Sequence, residues 1–257
     1  MNDKFFDVPM VTRSTSEGDV EFPILYLDAS CVSAFFLCDL DKVKQQLKDV
    51  PLDPGLVMGN KAVVGIQFYE YRDTTVGIYN EVGVAIPVVR RGEKPSFLPL
   101  LDLYTNPEKR TTAFYVIDLP VTTAAANAAG REMWGFPKFV TDIPMALNGR
   151  NLDVSVQDPE SKAPIMTFKG KMGFGLPSPA LSLKLYSFLN DETLSTAVNV
   201  RRGASLRSPG SMKLTVGGSS HPMAERLRAL GLDGKTPLAV MSTTDFQSRL
   251  NLGVAVA

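Results

Sequence analysis

Residues 130–138 read GREMWGFPK and place a lysine directly after a proline, close to a methionine and two aromatic residues. An ammonium group loses hydration when apolar groups surround it, and this loss favours the neutral amine. Neutral amines attack ketones and form Schiff bases. The stretch therefore predicts Lys138 as a nucleophile.

Runs typical of β-strands lie on both sides of this stretch. They are rich in β-branched and aromatic residues and are bounded by Gly, Pro, Asn and Asp. Asn148 and Gly149 together predict a two-residue hairpin, because both tolerate the positive φ of a type I′ turn. The pattern therefore predicts antiparallel pairing. The predicted strand ranges are 62–71, 75–89, 113–119, 139–147, 152–157 and 165–172.

Helices are predicted to be few. One spans about 39–47, before Pro51, and an alanine-rich one spans 122–133 and ends just before Lys138. A third spans about 221–230, with Ser220 as its N-cap. Many strands without regular intervening helices are unlike a βαβ chain. The sequence predicts a mainly antiparallel β (α+β) protein, and without a linker or repeat, residues 1–257 form a single domain.

Charge and composition exclude several classes of function. Lys plus Arg equals Asp plus Glu at 27 each, so no overall attraction to nucleic acid or anionic membranes is expected. No apolar run approaches the length of a membrane helix, and residues 1–7 lack a secretory pattern, which predicts a cytoplasmic protein. The arginines at 90–91 and 201–202 are interpreted as solvated turn charges, with carboxylate binding as the alternative.

Metal and cofactor sites have no support in the sequence. The single histidine, His221, excludes a two-histidine metal site, and two cysteines are too few for a thiolate site or a disulfide framework. Phosphate-binding and dinucleotide fingerprints do not occur. We predict no metal and no cofactor.

The stretch 130–138 also resembles the signature of the acetoacetate decarboxylase family. The resemblance lies in GRE, then a glycine, an aromatic residue and Pro137-Lys138. A second match is YNEVGVAIPV, residues 79–88, which is similar to a family strand that carries an active-site glutamate. Looser matches at 179–184 and 212–224 extend the resemblance over most of the chain. The resemblance implies a cone-like closed β-barrel with a few peripheral helices, the lysine inside, and a homo-oligomer.

The resemblance also implies roles for particular residues. Lys138 would form the Schiff base, and Glu81 would orient the substrate or transfer protons. Arg131 and Glu132 can also be explained as an ion pair that shapes the turn, and aromatic residues near a strand start are often ordinary core. The predicted substrate-binding residues are Arg131, Glu132, Met133, Trp134, Phe136 and Phe139.

Three departures from the family pattern bear on the reaction. Phe139 stands where the decarboxylases have a second lysine. The family's N-terminal arginine falls close to Ala29, and an upstream glutamate falls near Gly65, with Glu70 the nearest carboxylate. The resemblance implies a cofactor-independent lyase acting on a small keto acid, typically by decarboxylating a β-keto acid such as acetoacetate. The departures leave open aldolase or dehydratase chemistry on a pyruvate-like substrate, or a non-catalytic ligand-binding barrel.

Overall fold

The structure, a computed structural model, describes residues 4–256. Its four helices are α1 (Leu40–Gln46), α2 (Pro99–Asp102), α3 (Ala124–Trp134) and α4 (Pro222–Ala229). Its strands are β1 (Val11–Thr15), β2 (Gly18–Phe22), β3 (Ile24–Asp39), β4 (Leu52–Pro54), β5 (Val57–Met58), β6 (Lys61–Thr74), β7 (Tyr79–Arg90), β8 (Ala113–Val121), β9 (Lys138–Val140), β10 (Met145–Asn148), β11 (Asn151–Gln157), β12 (Pro164–Lys171), β13 (Gly175–Ser178), β14 (Leu183–Leu189), β15 (Glu192–Val200), β16 (Ala204–Arg207), β17 (Lys213–Val216), β18 (Ala239–Leu250) and β19 (Val254–Ala255).

Seven strands form a ring within the largest sheet. They pair in the order β18, β3, β6, β7, β8, β14 and β15, and β15 pairs back to β18 through three residue pairs from Val198–Leu250 to Val200–Ser248. All neighbours in the ring are antiparallel except β8 and β14. Ring closure covers the hydrogen-bonding edges that these strands would otherwise expose.

Side chains of β3, β6 and β7 alternate between two buried environments. One face packs beneath a second sheet, β10-β11-β12-β17, and helix α4. The rings of Phe68 and Phe168 stack between the two sheets with 5.0 Å between centroids. The other face lines the inside of the ring. Because both faces are buried, β7 is almost continuously apolar and does not show a clean alternation.

The predicted fold class is confirmed, since strands dominate and helices are few. Several elements differ from the prediction. Strands β3, β14, β15 and β18 lie outside the predicted ranges, and the range 139–147 divides into β9 and β10. Residues 75–78 form the turn before β7, where Gly77 has a φ of +95°.

Two turn and cap assignments are also corrected. Asn148 pairs with Asn151, so the hairpin turn consists of Gly149 and Arg150. Gly149 has a φ of +61°, and glycine at the first turn position is typical of type II′. Helix α4 is capped by His221 and not by Ser220, because the imidazole Nδ1 accepts a hydrogen bond from the Met223 amide at 3.2 Å. Among the described residues, no helix is both long and apolar enough to span a membrane.

Candidate active site

Helix α3 and the turn after it position Lys138. The helix ends at Gly135, whose φ is +68° and whose amide donates to the Arg131 carbonyl at 3.0 Å. This is the left-handed termination that favours glycine. A Cβ at position 135 would also lie 2.1 Å from the Phe188 carbonyl oxygen. The turn leads into β9, where Lys138 pairs with Leu119 of β8.

Gly130 makes room for the lysine side chain. It lies within α3, and a Cβ at this position would approach both Cδ and Cε of Lys138 at 2.4 Å. The aliphatic part of the lysine therefore occupies the space that any other residue at position 130 would fill. A helix that otherwise favours alanine contains a glycine at this contact.

Lys138 and Glu81 form a buried ion pair. The Lys138 Nζ donates to Glu81 Oε2 at 2.7 Å, and the two residues are only 6% and 7% exposed. Glu81 lies on β7 and Lys138 on β9. Both strands pair with β8, which brings the two side chains within reach of each other. Leaving one member of such a pair alone costs about 3–5 kcal/mol, so the two groups hold each other in the interior. The hydrogen bond also gives the ammonium proton a direct route to a carboxylate.

Four tyrosines, Tyr26, Tyr69, Tyr71 and Tyr79, surround the Glu81 carboxylate. The Tyr71 hydroxyl donates to Glu81 Oε1 at 3.4 Å, and the hydroxyls of Tyr26 and Tyr79 lie 3.2 Å apart. Burial is the largest cause that raises the pKa of all four phenols above the ordinary value, and the Glu81 charge adds to it. The phenols are therefore neutral hydrogen-bond donors at physiological pH.

A cavity of about 150 Å³ extends from the ion pair along the inside of the ring. An engineered apolar cavity of this volume holds benzene, so a small organic molecule fits here. The Arg202 side chain lines the cavity while being 46% exposed, which places it at the opening, where it forms an ion pair with Asp245. Most of the wall is apolar and includes Phe35, Ala85, Phe114, Val116, Leu183, Leu185 and Met241.

Comparisons with known proteins identify the family. The family model described as Acetoacetate decarboxylase (ADC) matches residues 7–215. The chain belongs to the acetoacetate decarboxylase family. No curated protein sequence matches it. The acetoacetate decarboxylase family is thus shown by a match over most of the chain.

Solved structures of acetoacetate decarboxylase and similar enzymes share the fold. The acetoacetate decarboxylase of Legionella pneumophila subsp. pneumophila str. Philadelphia 1 is 18% identical, with a TM-score of 0.63 over 99% of this chain and 94% of that one. The enduracididine biosynthesis enzyme MppR, complexed with pyruvate, is 12% identical, with a TM-score of 0.61 over 91% and 90%. An acetoacetate decarboxylase-like enzyme from Sphingomonas wittichii RW1 is 11% identical, with a TM-score of 0.59 over 91% and 92%.

The predicted site residues of this acetoacetate decarboxylase family member fall into two groups. Lys138, Glu81, Trp134 and Phe136 line the cavity. The rings of Trp134 and Phe136 stack with 5.7 Å between centroids, and the indole Nε1 donates to the Asn251 carbonyl at 3.0 Å. The wall therefore brings the predicted lysine, glutamate and two aromatic residues together.

The other four predicted residues do not line the cavity that the structure describes. Arg131 is exposed and donates to the Lys138 carbonyl at 2.9 Å, while Glu132 accepts a bond from the Ser16 amide at 3.1 Å. Met133 packs in the core, and the Phe139 ring lies 4.5 Å from the His221 ring. Successive residues of a strand or helix point in different directions, so these four residues point away from the cavity. Their contacts instead hold α3 and β9 in place.

The departures from the acetoacetate decarboxylase family pattern are visible in three dimensions. Ala29 is fully buried outside the cavity wall, and Glu70 forms an ion pair with Arg72 at 2.8 Å. The residue directly opposite Glu81 on β6 is Tyr69. Within the described residues, no cluster of His, Cys, Asp and Glu suited to a metal ion occurs. The interior thus has tyrosines around a single lysine–glutamate pair.

The positions of the four tyrosines and of Gly130 in the site were not predicted from the sequence. Tyr69 and Tyr71 are two residues apart, as are Tyr79 and Glu81, so the alternation of strands β6 and β7 puts them on one face. That spacing was available as a signal. The role of Gly130 depends on the approach of β9 to α3, which no local pattern encodes.

Proposed function

We propose that this chain is a cofactor-independent lyase in which Lys138 forms a Schiff base with a small keto acid. The observation that supports it is the buried pair of Lys138 Nζ and Glu81 Oε2, 2.7 Å apart in the wall of the cavity. Transfer of one proton along this hydrogen bond leaves a neutral amine and a carboxylic acid. The amine then attacks the substrate carbonyl carbon.

Glu81 can serve the steps that follow. Its acid form returns the proton as the carbinolamine loses water, and the iminium carbon then draws in the electron pair of the bond that breaks. In a β-keto acid this bond joins the α-carbon to the carboxylate, so carbon dioxide leaves and an enamine remains. Protonation of the enamine and hydrolysis release the ketone and regenerate the lysine amine. The apolar wall favours this direction because it solvates neutral carbon dioxide better than a carboxylate.

Aldol or dehydration chemistry on a pyruvate-like substrate is the second candidate. The same iminium and enamine serve both reactions. Two observations favour it: the MppR structure that shares the fold was obtained with pyruvate, and four neutral phenols surround Glu81. Phenols that donate hydrogen bonds can stabilise the alkoxide that an aldol step creates, or give a proton to the hydroxyl group that leaves as water in a dehydration.

Reductive trapping tests the proposal. The protein is incubated with borohydride and either acetoacetate or pyruvate, and the adduct is located by peptide mass spectrometry. We expect an adduct on Lys138 with at least one compound and none in Lys138→Ala, whereas the exposed-lysine control Lys213→Ala traps normally. Glu81→Gln is expected to slow trapping at least tenfold, because it removes the proton acceptor.

The outcomes separate the candidates. Carbon dioxide release from acetoacetate identifies the decarboxylase, and trapping with pyruvate alone favours the aldolase or dehydratase. If folded protein traps neither compound, the Schiff-base assignment fails and a non-catalytic ligand-binding barrel is favoured.

A further inference from the structure

Strand register divides the cavity wall into successive layers of facing residues. Cys31, Tyr69 and Glu81 face one another across β3, β6 and β7. The next layer holds Ser33, Gln67 and Gly83, and the one after holds Phe35, Gly65 and Ala85. Each layer lies two strand residues, or about 7 Å, beyond the one before. The wall therefore changes from reactive to polar to apolar with distance from Lys138.

Gln67 is the one amide side chain among the described residues that line the cavity. Its position is confined by two glycines, since a Cβ at Gly65 would lie 2.6 Å from its Nε2 and one at Gly83 would lie 3.4 Å from its Oε1. The amide therefore lies across the wall where neighbouring side chains are missing. Any residue other than glycine at position 65 would force the amide to move.

The Gln67 amide has no hydrogen-bond partner within residues 4–256, although it can donate two bonds and accept two. Gln67 is half-buried in the cavity wall, so these donors and acceptors are open to water or to a ligand inside the cavity. The Ser33 hydroxyl lies beside it on β3 and faces the same space. Together they form a polar band between Glu81 and the apolar end of the cavity.

Beyond this band the wall is hydrocarbon and aromatic. Ala85 pairs with Val116, and Phe114 and Leu185 pair with each other two residues farther along β8. In the described wall the charged side chains are Lys138, Glu81 and Arg202, and Arg202 lies at the opening. The far end of the cavity thus favours an uncharged, apolar group.

We propose that the substrate is longer than acetoacetate: a carbonyl compound with a neutral hydroxyl or carbonyl oxygen about 7 Å from its reacting carbon and an apolar tail beyond, with Gln67 binding that oxygen. The proposal rests on the proposed function, because it takes Lys138 as the point where the reacting carbon lies. It makes Gln67 a specificity-determining residue, and it explains why an amide remains unpaired in a mostly apolar wall.

The test compares three methyl ketones: 2-butanone, 2-octanone and 7-hydroxy-2-octanone. Binding is followed by the fluorescence of Trp134, the single tryptophan of the chain, which lines the cavity. Covalent trapping on Lys138 with borohydride is measured separately. We expect 2-octanone to bind at least tenfold more tightly than 2-butanone, and the hydroxyl to add a further fivefold or more.

Gln67→Leu, which keeps the side-chain bulk, is expected to remove the gain from the hydroxyl and to change the affinity for 2-octanone less than twofold. The control is Gln45→Leu on the exposed surface of α1, which should change neither. Equal binding of the short and long ketones, or a hydroxyl gain that persists in Gln67→Leu, would overturn the proposal. If the variant does not fold, equal affinity of the unaltered chain for the two long ketones overturns it alone. Binding in the expected order without trapping would instead refute the Schiff base.

Discussion

At position 130, the absence of a side chain determines whether Lys138 can reach the cavity. Gly130→Ala adds a methyl carbon that would lie only 2.4 Å from both Cδ and Cε of Lys138, which is too close for either atom to stay in place. The lysine is a flexible side chain and can move, so we expect the fold to survive and the amine to be displaced. Trapping on Lys138 should fall at least tenfold.

Stability should fall as well. Alanine is favoured over glycine within a helix by about 1 kcal/mol, but displacing the amine breaks the buried pair with Glu81, which costs about 3–5 kcal/mol, so urea unfolding should show Gly130→Ala to be less stable than the unaltered chain. The control is Gly218→Ala, where a Cβ meets open space and trapping should not change. A full trapping rate in Gly130→Ala would show that the lysine does not depend on this contact.

The sequence predicted residues that belong to a contiguous signature. Lys138 and Glu81 were identified from two local stretches, and the structure brings them to 2.7 Å. Gln67 and Tyr26 stand in no such stretch, since their place in the cavity depends on the register between β3, β6 and β7. Register is a property of pairs of strands far apart in the chain, and a single sequence does not encode it locally.

At the scale of elements, Asp158 connects the loop after β11 to the start of α4. It accepts hydrogen bonds from Ser219 Oγ at 2.5 Å and from the amides of Glu160 and Ser161 at 2.9 and 3.2 Å. The Ser219 hydroxyl, followed by the Glu160 and Ser161 hydrogen bonds, lowers the pKa of the Asp158 carboxyl well below its ordinary value. The charged form is therefore favoured in the folded chain.

This shift predicts a dependence of stability on pH. A lowered folded pKa stabilises the fold above the ordinary aspartate pKa of about 3.9, and the contribution is lost as pH falls below it. We expect Asp158→Asn to lower the free energy of unfolding at pH 5 and to make it less sensitive to a change from pH 5 to pH 3. Urea unfolding at the two pH values measures this, with Asp153→Asn on the exposed face of β11 as the control. If the free energy of unfolding of Asp158→Asn changes between pH 5 and pH 3 as much as that of the unaltered chain, the prediction is wrong.

Local patterns predicted the strands that are buried on both faces better than the others. β6, β7 and β8 are densely apolar and fall largely within the predicted ranges, whereas β14, β15 and β18 carry more polar residues and lie outside them. The burial of those later strands comes from ring closure, which supplies their partners. Helices α1, α3 and α4 were predicted to within a few residues because helix starts and glycine stops are local signals, whereas the short α2 was not predicted.

At the scale of the whole molecule, the resemblance leads us to expect a homo-oligomer. Large apolar side chains are exposed around α2, where Phe97 is 96% exposed and Leu100 and Leu101 are each 63% exposed. Exposed apolar patches are surface that a subunit interface commonly covers. Size-exclusion chromatography with light scattering measures the mass directly. A mass equal to the 28.0 kDa of one chain across a wide range of concentrations would contradict the expectation.

The pairing of β3 with β18 has a consequence for how the protein is made. Ile24–Asp39 lies early in the sequence and Ala239–Leu250 lies late, yet the two strands pair along most of their length. A ribosome that produces the chain from its N-terminus completes Lys138 well before the strand that seals the ring. Until then the wall around the Lys138 side chain is incomplete and open to water. The buried surroundings of Lys138 and Glu81 therefore form only when synthesis reaches the final strands.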